Sequence, residues 1–480
     1  MSRGAAPVRA QFGVARPVGD RRGAVQHGPL RRVHVRAGRG WGCALCGDFA
    51  IRPDRRGVYT GIRVLSSAES RRRGGGVWPD AEACGGASTG AGAGGVKATI
   101  EPGTPGFFWA FFALGLTAAS IGPALPRLAE GTGVSIGAVS LVFAAYRGGF
   151  IAGSLGGGSL LDRLRGNRVL AVILLVLAVA LALVPHASSL ILLVGLFLAV
   201  GAAGGIVEIS GNTLLLWSYG SRVGPYMNGL HFAFGVGAIV SPLLIGRMLE
   251  GTGDLTGAFL LAGAFVLPGA ILLFGAKSPS APEADEEKDQ RSRVAPTVFT
   301  ALFLLFYVGA ESGFGGWLYT FAVTLDLATP GQAGAMTALF WGSLTAGRLV
   351  LIPFSYRIHP KRILMASVIG CLAFLSVLAL PVASGSVGIL WTASGGLGLS
   401  MAGIFPGAVS FAGRHMRVTG SVSRWFFAGA GVGGMSIPWI LGQMVEYLGA
   451  ASVMGALLVV SALMALALGG LLFVCRTPVV

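Results

Sequence analysis

The chain has 480 residues, of which 53% are hydrophobic and only 12% charged, and its mean hydropathy is +0.73. Soluble globular domains carry about 25% charged residues, so this composition excludes that class and predicts an integral membrane protein. The net charge of +16 would favour a nucleic-acid partner in a soluble protein. Here the basic residues lie mainly in the N-terminal tail and in the loops between apolar segments, so no nucleic-acid partner is expected.

The first hundred residues differ in composition from the rest of the chain. Residues 1–100 hold sixteen arginines and Lys97 against six acids, are rich in glycine, and lack periodic apolar patterning. This composition predicts a disordered tail. It has no apolar core of signal-peptide length, although an Arg-rich transit peptide stays open. Cys43 and Cys46 form a single CxxC, which is half of a zinc site, so no metal and no cofactor are expected.

Twelve apolar segments follow, each long enough to cross a hydrocarbon core of about 30 Å. They predict an all-α membrane protein with twelve transmembrane helices in two pseudo-symmetric halves, at 105–276 and 296–476, joined by a charged linker at 277–295. The segments cover 105–127, 136–161, 168–186, 189–217, 224–249, 256–276, 296–325, 332–356, 362–383, 387–413, 420–446 and 451–475.

Loop charges predict the orientation. One membrane face, called here the basic face, carries most of the loop arginines and lysines, and the opposite, acid-bearing face carries five acids with only two arginines. Both termini lie on the basic face, which predicts that both are cytoplasmic, most simply in a plasma or inner membrane. The residues of the acid-bearing face are Arg127, Glu130, Arg247, Glu250, Asp254, Asp326 and Glu446.

The two halves repeat each other in sequence. Residues 146–170 align without gaps over residues 340–364, pairing Gly148 with Gly342 and Arg163 with Arg357. Residues 235–250 align over residues 431–446, with identical glycines, prolines and terminal glutamates. Two parallel repeats of six helices are one architecture of secondary transporters.

Several stretches carry a more specific resemblance. The chain resembles the major facilitator superfamily, and within it the branch of fucose/proton symporters and sodium-dependent glucose transporter-like proteins. The resemblance implies the major facilitator fold and the transport of a sugar with a coupling cation. It rests on Glu208-Ile-Ser-Gly-Asn212, Asn228-Gly-Leu-His231, Gly235 to Pro242, Tyr307-Val-Gly-Ala-Glu311, Gly347-Arg348 and Ile404-Phe-Pro406.

Four charged side chains fall inside apolar segments, which is costly unless they have a partner, water or a proton. Glu208 and Glu311 are the candidates for proton or cation coupling, and Arg147 and Arg348 for internal charge pairing. Asn212 lies one helical turn after Glu208, where it can bind a hydroxyl of the solute. Permanent neutralisation of Glu208 by an arginine is the structural alternative.

Polar and aromatic residues near these charges predict the solute site. Sugars present hydroxyls to polar groups and C–H faces to rings, although aromatic residues at helical spacing are more often part of the core. Four glycines around Glu311 predict that this segment either unwinds or approaches a neighbour closely. The substrate-binding candidates are Asn212, Asn228, His231, Tyr307, Phe314, Trp317 and Trp341.

Charges at helix ends on the basic face predict a cytoplasmic gate, with a purely topological role as the alternative. The gate candidates are Asp162, Arg163, Arg168, Arg357 and Arg362. No nucleotide-binding motif or nucleophile triad is present, so no enzymatic function is expected.

The sequence therefore predicts an alternating-access symporter that carries a hexose-like sugar with a proton or sodium ion. The lipid bilayer and a small-molecule solute are the expected partners, and the chain is expected to act as a monomer. Two alternatives stay open: a proton-coupled antiporter that exports a drug or metabolite, and a membrane sensor that has lost transport.

Overall fold

The computed structural model describes residues 49–53, 59–64, 100–279, 294–355, 357–380, 386–416, 418 and 420–475. In the N-terminal unit, β1 (Phe49–Pro53) and β2 (Tyr59–Val64) pair as an antiparallel hairpin, with Ile51 opposite Ile62. These eleven residues form strands where the sequence predicts disorder. The other residues of 1–99, to which that prediction also applies, lie outside the described ranges.

Seven α-helices and a short helical turn build the first six spans. They are α1 (Thr104–Ala118), α2 (Ile121–Thr132), α3 (Ile136–Val139), α4 (Leu141–Arg163), α5 (Gly166–Leu183), α6 (Leu190–Tyr219), α7 (Gly224–Thr252) and α8 (Thr256–Gly275). Short 3-10 turns follow α5 at Val184–His186 and α6 at Gly220–Arg222.

The second six spans are built from seven helices. They are α9 (Val294–Thr324), α10 (Pro330–Ser355), α11 (Pro360–Leu378), α12 (Val387–Met401), α13 (Ile404–His415), α14 (Gly420–Leu448) and α15 (Ser452–Val474). Among the described residues, eleven helices are long and apolar enough to span a membrane, or twelve when the bent pair α1 and α2 counts as one span. The predicted fold class is confirmed.

The helices pack in the same pairs in both halves. In the first half α1 packs on α7, α4 on α6 and α5 on α8; in the second half α9 packs on α14, α10 on α12 and α11 on α15. The two halves meet mainly where α7 contacts α10 and where α3 and α4 contact α14. The sequence repeat is therefore a repeat of structure, and the two contacts between the halves are also equivalent to each other.

Two spans are broken where the sequence predicts one continuous segment. The first span bends by 50° between α1 and α2. Pro123 follows the bend and has no N–H to bond to the carbonyl of Ala119, which accounts for the break. The tenth span is interrupted between α12 and α13, where Pro406 has the same effect on Ala402.

Glycines allow the helices of each half to touch backbone to backbone. A Cβ at Gly237 on α7 would overlap the carbonyl oxygen of Phe112 on α1, and a Cβ at Gly433 on α14 would overlap that of Leu305 on α9. Gly237 and Gly433 are repeat-equivalent. Small residues of this kind permit close helix contact where lipid offers no hydrophobic driving force for association.

Candidate functional site

Glu311 lies at the centre of a polar cluster formed by α9 and α10. The Tyr307 hydroxyl donates to Glu311 Oε1 at 3.0 Å, and Arg348 Nη2 donates to the same oxygen at 3.2 Å. The side chains of Glu311 and Arg348 are 12% and 34% exposed, so the ion pair is shielded from bulk water on most sides. The structure thus brings together three of the predicted site residues, and it pairs Glu311 with a cation.

Glu208 on α6 has different neighbours. Asn212 Nδ2 donates to Glu208 Oε1 at 3.1 Å and to the backbone carbonyl oxygen of Glu208 at 2.8 Å. Among the described residues, no lysine, arginine or histidine nitrogen lies within salt-bridge distance of its carboxylate. The predicted proximity of Glu208 and Asn212 is present, whereas the permanent pairing of Glu208 with an arginine is not seen in this state.

Arg147 on α4 reaches across to the other half. Its Nη2 donates to Ser312 Oγ on α9 at 2.9 Å, and the guanidinium lies about 6 Å from the ring centres of Tyr146 and Phe150. Gly434 on α14 leaves room for it, because a Cβ there would lie 3.0 Å from Arg147 Nε. Arg147, predicted to pair with a charge, here bonds a neutral hydroxyl next to Glu311.

The aromatic candidates have different surroundings. Trp341 on α10 is partly buried against Gly315, and its Nε1 has no hydrogen-bond partner among the described residues. Arg348 Nε likewise has none. Phe314 is fully buried against the ring of Phe340, and Trp317 donates from Nε1 to the carbonyl oxygen of Pro438 at 2.9 Å. Of the three rings, Trp341 is the one that is not fully buried, and its indole N–H is buried without a described partner.

The four glycines of α9 serve close approach rather than unwinding. The helix runs without interruption from Val294 to Thr324, and a Cβ at Gly315 would lie 2.7 Å from the Trp341 ring. Gly309 and Gly313 face Ile437 and Leu441 of α14 in the same way. Of the two outcomes that the sequence leaves open, unwinding and close approach to a neighbour, the structure shows close approach.

Two further candidates lie on α7. The imidazole of His231 meets the ring of Phe111 edge to face at 5.7 Å, and both His231 and Asn228 are exposed in the structure. No described hydrogen bond joins either side chain to Glu208 or Glu311. His231 is nevertheless close enough to Arg348, the partner of Glu311, for an electrostatic interaction between the two side chains.

The gate candidates on the basic face are only partly described. Arg168, Arg357 and Arg362 are exposed, and none of them forms an ion pair with a described residue. The side chains of Asp162 and Arg163 lie outside the described part of the chain. Within the described ranges, no group of three or more His, Cys, Asp or Glu residues is placed to hold a metal ion.

Ser312 and Gly434 complete the site and were not predicted. Ser312 directly follows Glu311, but a lone serine in a helix usually bonds to the carbonyl one turn back, which gives no signal of a partner in the other half. Gly434 is one of many glycines in α14. Its role depends on the guanidinium opposite, which only the packed structure shows.

The chain has close similarities to known proteins. The sequence profile of the Major Facilitator Superfamily matches residues 107–438. The chain belongs to the Major Facilitator Superfamily. Its members are transporters, so this multi-pass membrane protein is a transporter of a small-molecule solute and not an enzyme.

Curated relatives in this superfamily include sodium-dependent glucose transporter 1A of Mus musculus, which is 30% identical over 372 residues, covering 69% of this chain and 87% of the relative. Sodium-dependent glucose transporter 1 of Xenopus laevis is 29% identical, covering 68% of this chain and 72% of the relative. The human protein of that name is 28% identical, covering 69% and 71%.

Solved structures share the fold. A point mutant of the nucleoside transporter NupG superposes with a TM-score of 0.62 at 13% identity, covering 78% of this chain and all of that structure. A bacterial homologue of the human lysosomal transporter Spinster superposes with a TM-score of 0.61 at 10% identity, covering 78% of this chain and 96% of that structure. At these identities the likeness establishes the fold alone.

Proposed function

We propose that the transporter is a symporter that carries a hexose-like sugar together with a proton or a sodium ion, and that Glu208 binds the coupling cation. The observation that carries the proposal is the difference between the two partly buried carboxylates at membrane depth, Glu208 and Glu311. Glu311 is bonded directly to Arg348, whereas the described side-chain partner of Glu208 is the Asn212 amide, and Arg147 and Arg348 act on Glu208 from beyond salt-bridge distance. A carboxylate without a fixed cation at membrane depth is stable when a mobile cation supplies the charge, and a symporter needs such a group.

Glu311 then acts in solute binding. Its carboxylate is held in place by Tyr307 and Arg348, and Trp341 Nε1 and Arg348 Nε are donors without a described partner in the same cluster. Buried donors without a partner are rare in folded proteins, because each costs about 1–3 kcal/mol. A polyhydroxylated solute supplies acceptors for these donors and apolar C–H faces for the indole ring. Asn212, His231 and Asn228 are expected to complete the site in other states of the cycle.

The names of the curated relatives support the sugar and the sodium ion, since those proteins are called sodium-dependent glucose transporters. The basic loops support cytoplasmic termini in a plasma or inner membrane, with the charged residues near Asp162 and Arg357 contributing to a gate there. The transporter is proposed to work as a monomer, with one solute path between its two halves.

Uptake into proteoliposomes tests the proposal. Labelled hexoses are offered under an inward sodium gradient, an inward proton gradient, or no gradient, with empty liposomes as the control. Accumulation above the external concentration under one cation gradient is the expected result. Absence of hexose uptake by protein that elutes as a single folded species would contradict sugar transport. Gradient-driven movement of a drug or metabolite opposite to the cation would identify the antiporter alternative instead.

A further inference from the structure

The two contacts between the halves follow one register. The second span, Ile136–Gly158, lies along α14, and α10 lies along α7. Each contact contains three residue pairs, one after another along the helices. Each residue of a pair in one contact is the repeat equivalent of a residue in the corresponding pair of the other contact. Between the second span and α14 the pairs are Gly137 with Glu446, Ser140 with Gly442, and Ile151 with Gly431. Between α10 and α7 the equivalent pairs are Gly331 with Glu250, Gly334 with Gly246, and Thr345 with Gly235.

In both contacts, the residue pair nearest the acid-bearing face includes a glutamate carboxylate. Glu446 Oε2 accepts a hydrogen bond from the backbone N–H of Gly137 at 3.1 Å. On the same turn of α14, Gln443 Nε2 donates to the carbonyl oxygen of Gly137 at 2.8 Å. Both backbone groups of Gly137 are therefore bound by side chains of the opposite half.

Glu250 makes the equivalent contact on the other side. Its Oε1 accepts a hydrogen bond from Thr329 Oγ1 at 2.7 Å, and a Cβ at Gly331 would overlap its Oε2. Thr329 and Gln332 bond each other's backbone N–H groups at 3.3 and 3.2 Å, which is a capping box at the start of α10. Each carboxylate thus meets the first turn of a helix in the other half, where the helix dipole favours negative charge.

Neither carboxylate is paired with a cation among the described residues. The arginine of this face that has an ion-pair partner, Arg127, bonds Glu130 three residues away on its own helix at 2.6 Å. The bonds of Glu250 and Glu446 join one half to the other, so they exist only while the two halves are together on this face. A change to a state open on this face must break both.

We propose that Glu250 and Glu446 are a matched pair of carboxylate latches that hold the acid-bearing face closed during the transport cycle. The proposal does not depend on the identity of the solute or of the coupling cation. It assigns a function to two exposed acids that neither the solute site nor membrane orientation requires. Because Glu446 binds a backbone N–H directly, whereas the described hydrogen bond of Glu250 is to a side-chain hydroxyl, the loss of Glu446 is expected to have the larger effect.

Distances across this face test the proposal. Spin labels are placed at Gly131 on α2 and Gly455 on α15, where a side chain meets nothing within 4 Å, in a full-length chain whose native cysteines are replaced. Double electron–electron resonance then measures the label separation in lipid nanodiscs. Removing one carboxylate is expected to raise the population with the longer separation about twofold for E250A and about fourfold for E446A, and removing both about tenfold.

Glu130→Ala is the matched control. Glu130 lies on the same face, but its partner, Arg127, is on its own helix and not in the other half. The substitution should leave the distances unchanged. The proposal is overturned if the double variant keeps the parent distribution, or if E130A shifts it as far as the double variant does. Should the alanine variants not fold, E250Q with E446Q keeps side-chain length and removes the charge; an unchanged distribution there also overturns the proposal.

Discussion

The two halves share a frame and differ in their charges. The frame includes the same helix pairs and the same backbone contacts at Gly237 and Gly433. The charges do not repeat: the repeat equivalent of Arg147 is Trp341, and that of Arg348 is Ser154. The second half therefore holds a complete ion pair between Glu311 and Arg348, and the first half holds Glu208 without one.

The difference between the repeated helix contacts and the unrepeated charges separates the residues that stabilise the fold from those expected to carry out transport. A carboxylate that already has a fixed cation gains little from binding another one, whereas Glu208 has an oxygen held by Asn212 and, among the described residues, no cation within salt-bridge distance. Arg147, the cation of the first half, bonds Ser312 next to Glu311 and so connects the two charge systems. Substitutions in the shared frame are expected to destabilise the protein to a similar degree in either half. Substitutions of the charged residues are expected to have different effects in the two halves.

The largest effect is expected from filling the shared helix contacts. G237A and G433A each place a methyl group against a backbone carbonyl of a packed helix, so the helices must separate, at a cost of about 3 kcal/mol or more. Both should lower the thermal unfolding midpoint in detergent by a similar amount. G195A and G455A are the matched controls, one in each half, with no atom within 4 Å of the added group, and should leave the midpoint unchanged or slightly raised. A large loss in one half only would show that the frame is not shared.

Next in size is the loss of coupling in the first half. E208Q removes the charge that a cation would bind and keeps the side-chain shape. Under a tenfold cation gradient, accumulation should fall from about tenfold, for one cation per solute, to none, while solute exchange between equal cation concentrations continues. Uptake of labelled solute in both modes measures this. Unchanged accumulation by E208Q would remove Glu208 from the coupling step.

Charge removal in the second half should cost stability instead. R348M leaves Glu311 without its cation in a mostly shielded site; because Arg348 is 34% exposed, the expected loss is about 2 kcal/mol, below the range for fully buried pairs. Adding E311Q should recover much of that loss. R147M breaks a bond to a neutral hydroxyl and should cost less, about 1 kcal/mol. Equal losses for R348M and R147M, measured by thermal unfolding, would contradict the difference between the halves.

The sequence predicted the fold far better than the site, for physical reasons. Apolar length and the repeat of Gly235–Glu250 in Gly431–Glu446 depend on local composition, so the twelve spans follow directly. The Glu208–Asn212 and Tyr307–Glu311 pairs also follow, because residues four apart share a helix face. The contact of Arg147 with Ser312 joins residues far apart in the chain, and no helical period encodes it. The bend before Pro123 was missed because the apolar run continues through it.

The smallest effect is expected at Trp341, which occupies in the second half the place of Arg147 in the first. W341F keeps a ring against Gly315 and removes the indole N–H that has no described partner. If that donor binds the solute, KM should rise about fivefold, the effect of losing one hydrogen bond of about 1 kcal/mol, with stability unchanged. W317F, whose N–H bonds Pro438, should lower stability and leave KM unchanged, and W425F, at a ring that is 58% exposed, should change neither. A KM for W341F equal to that of the parent would place the solute away from the second-half cluster and nearer to Glu208 and Asn212.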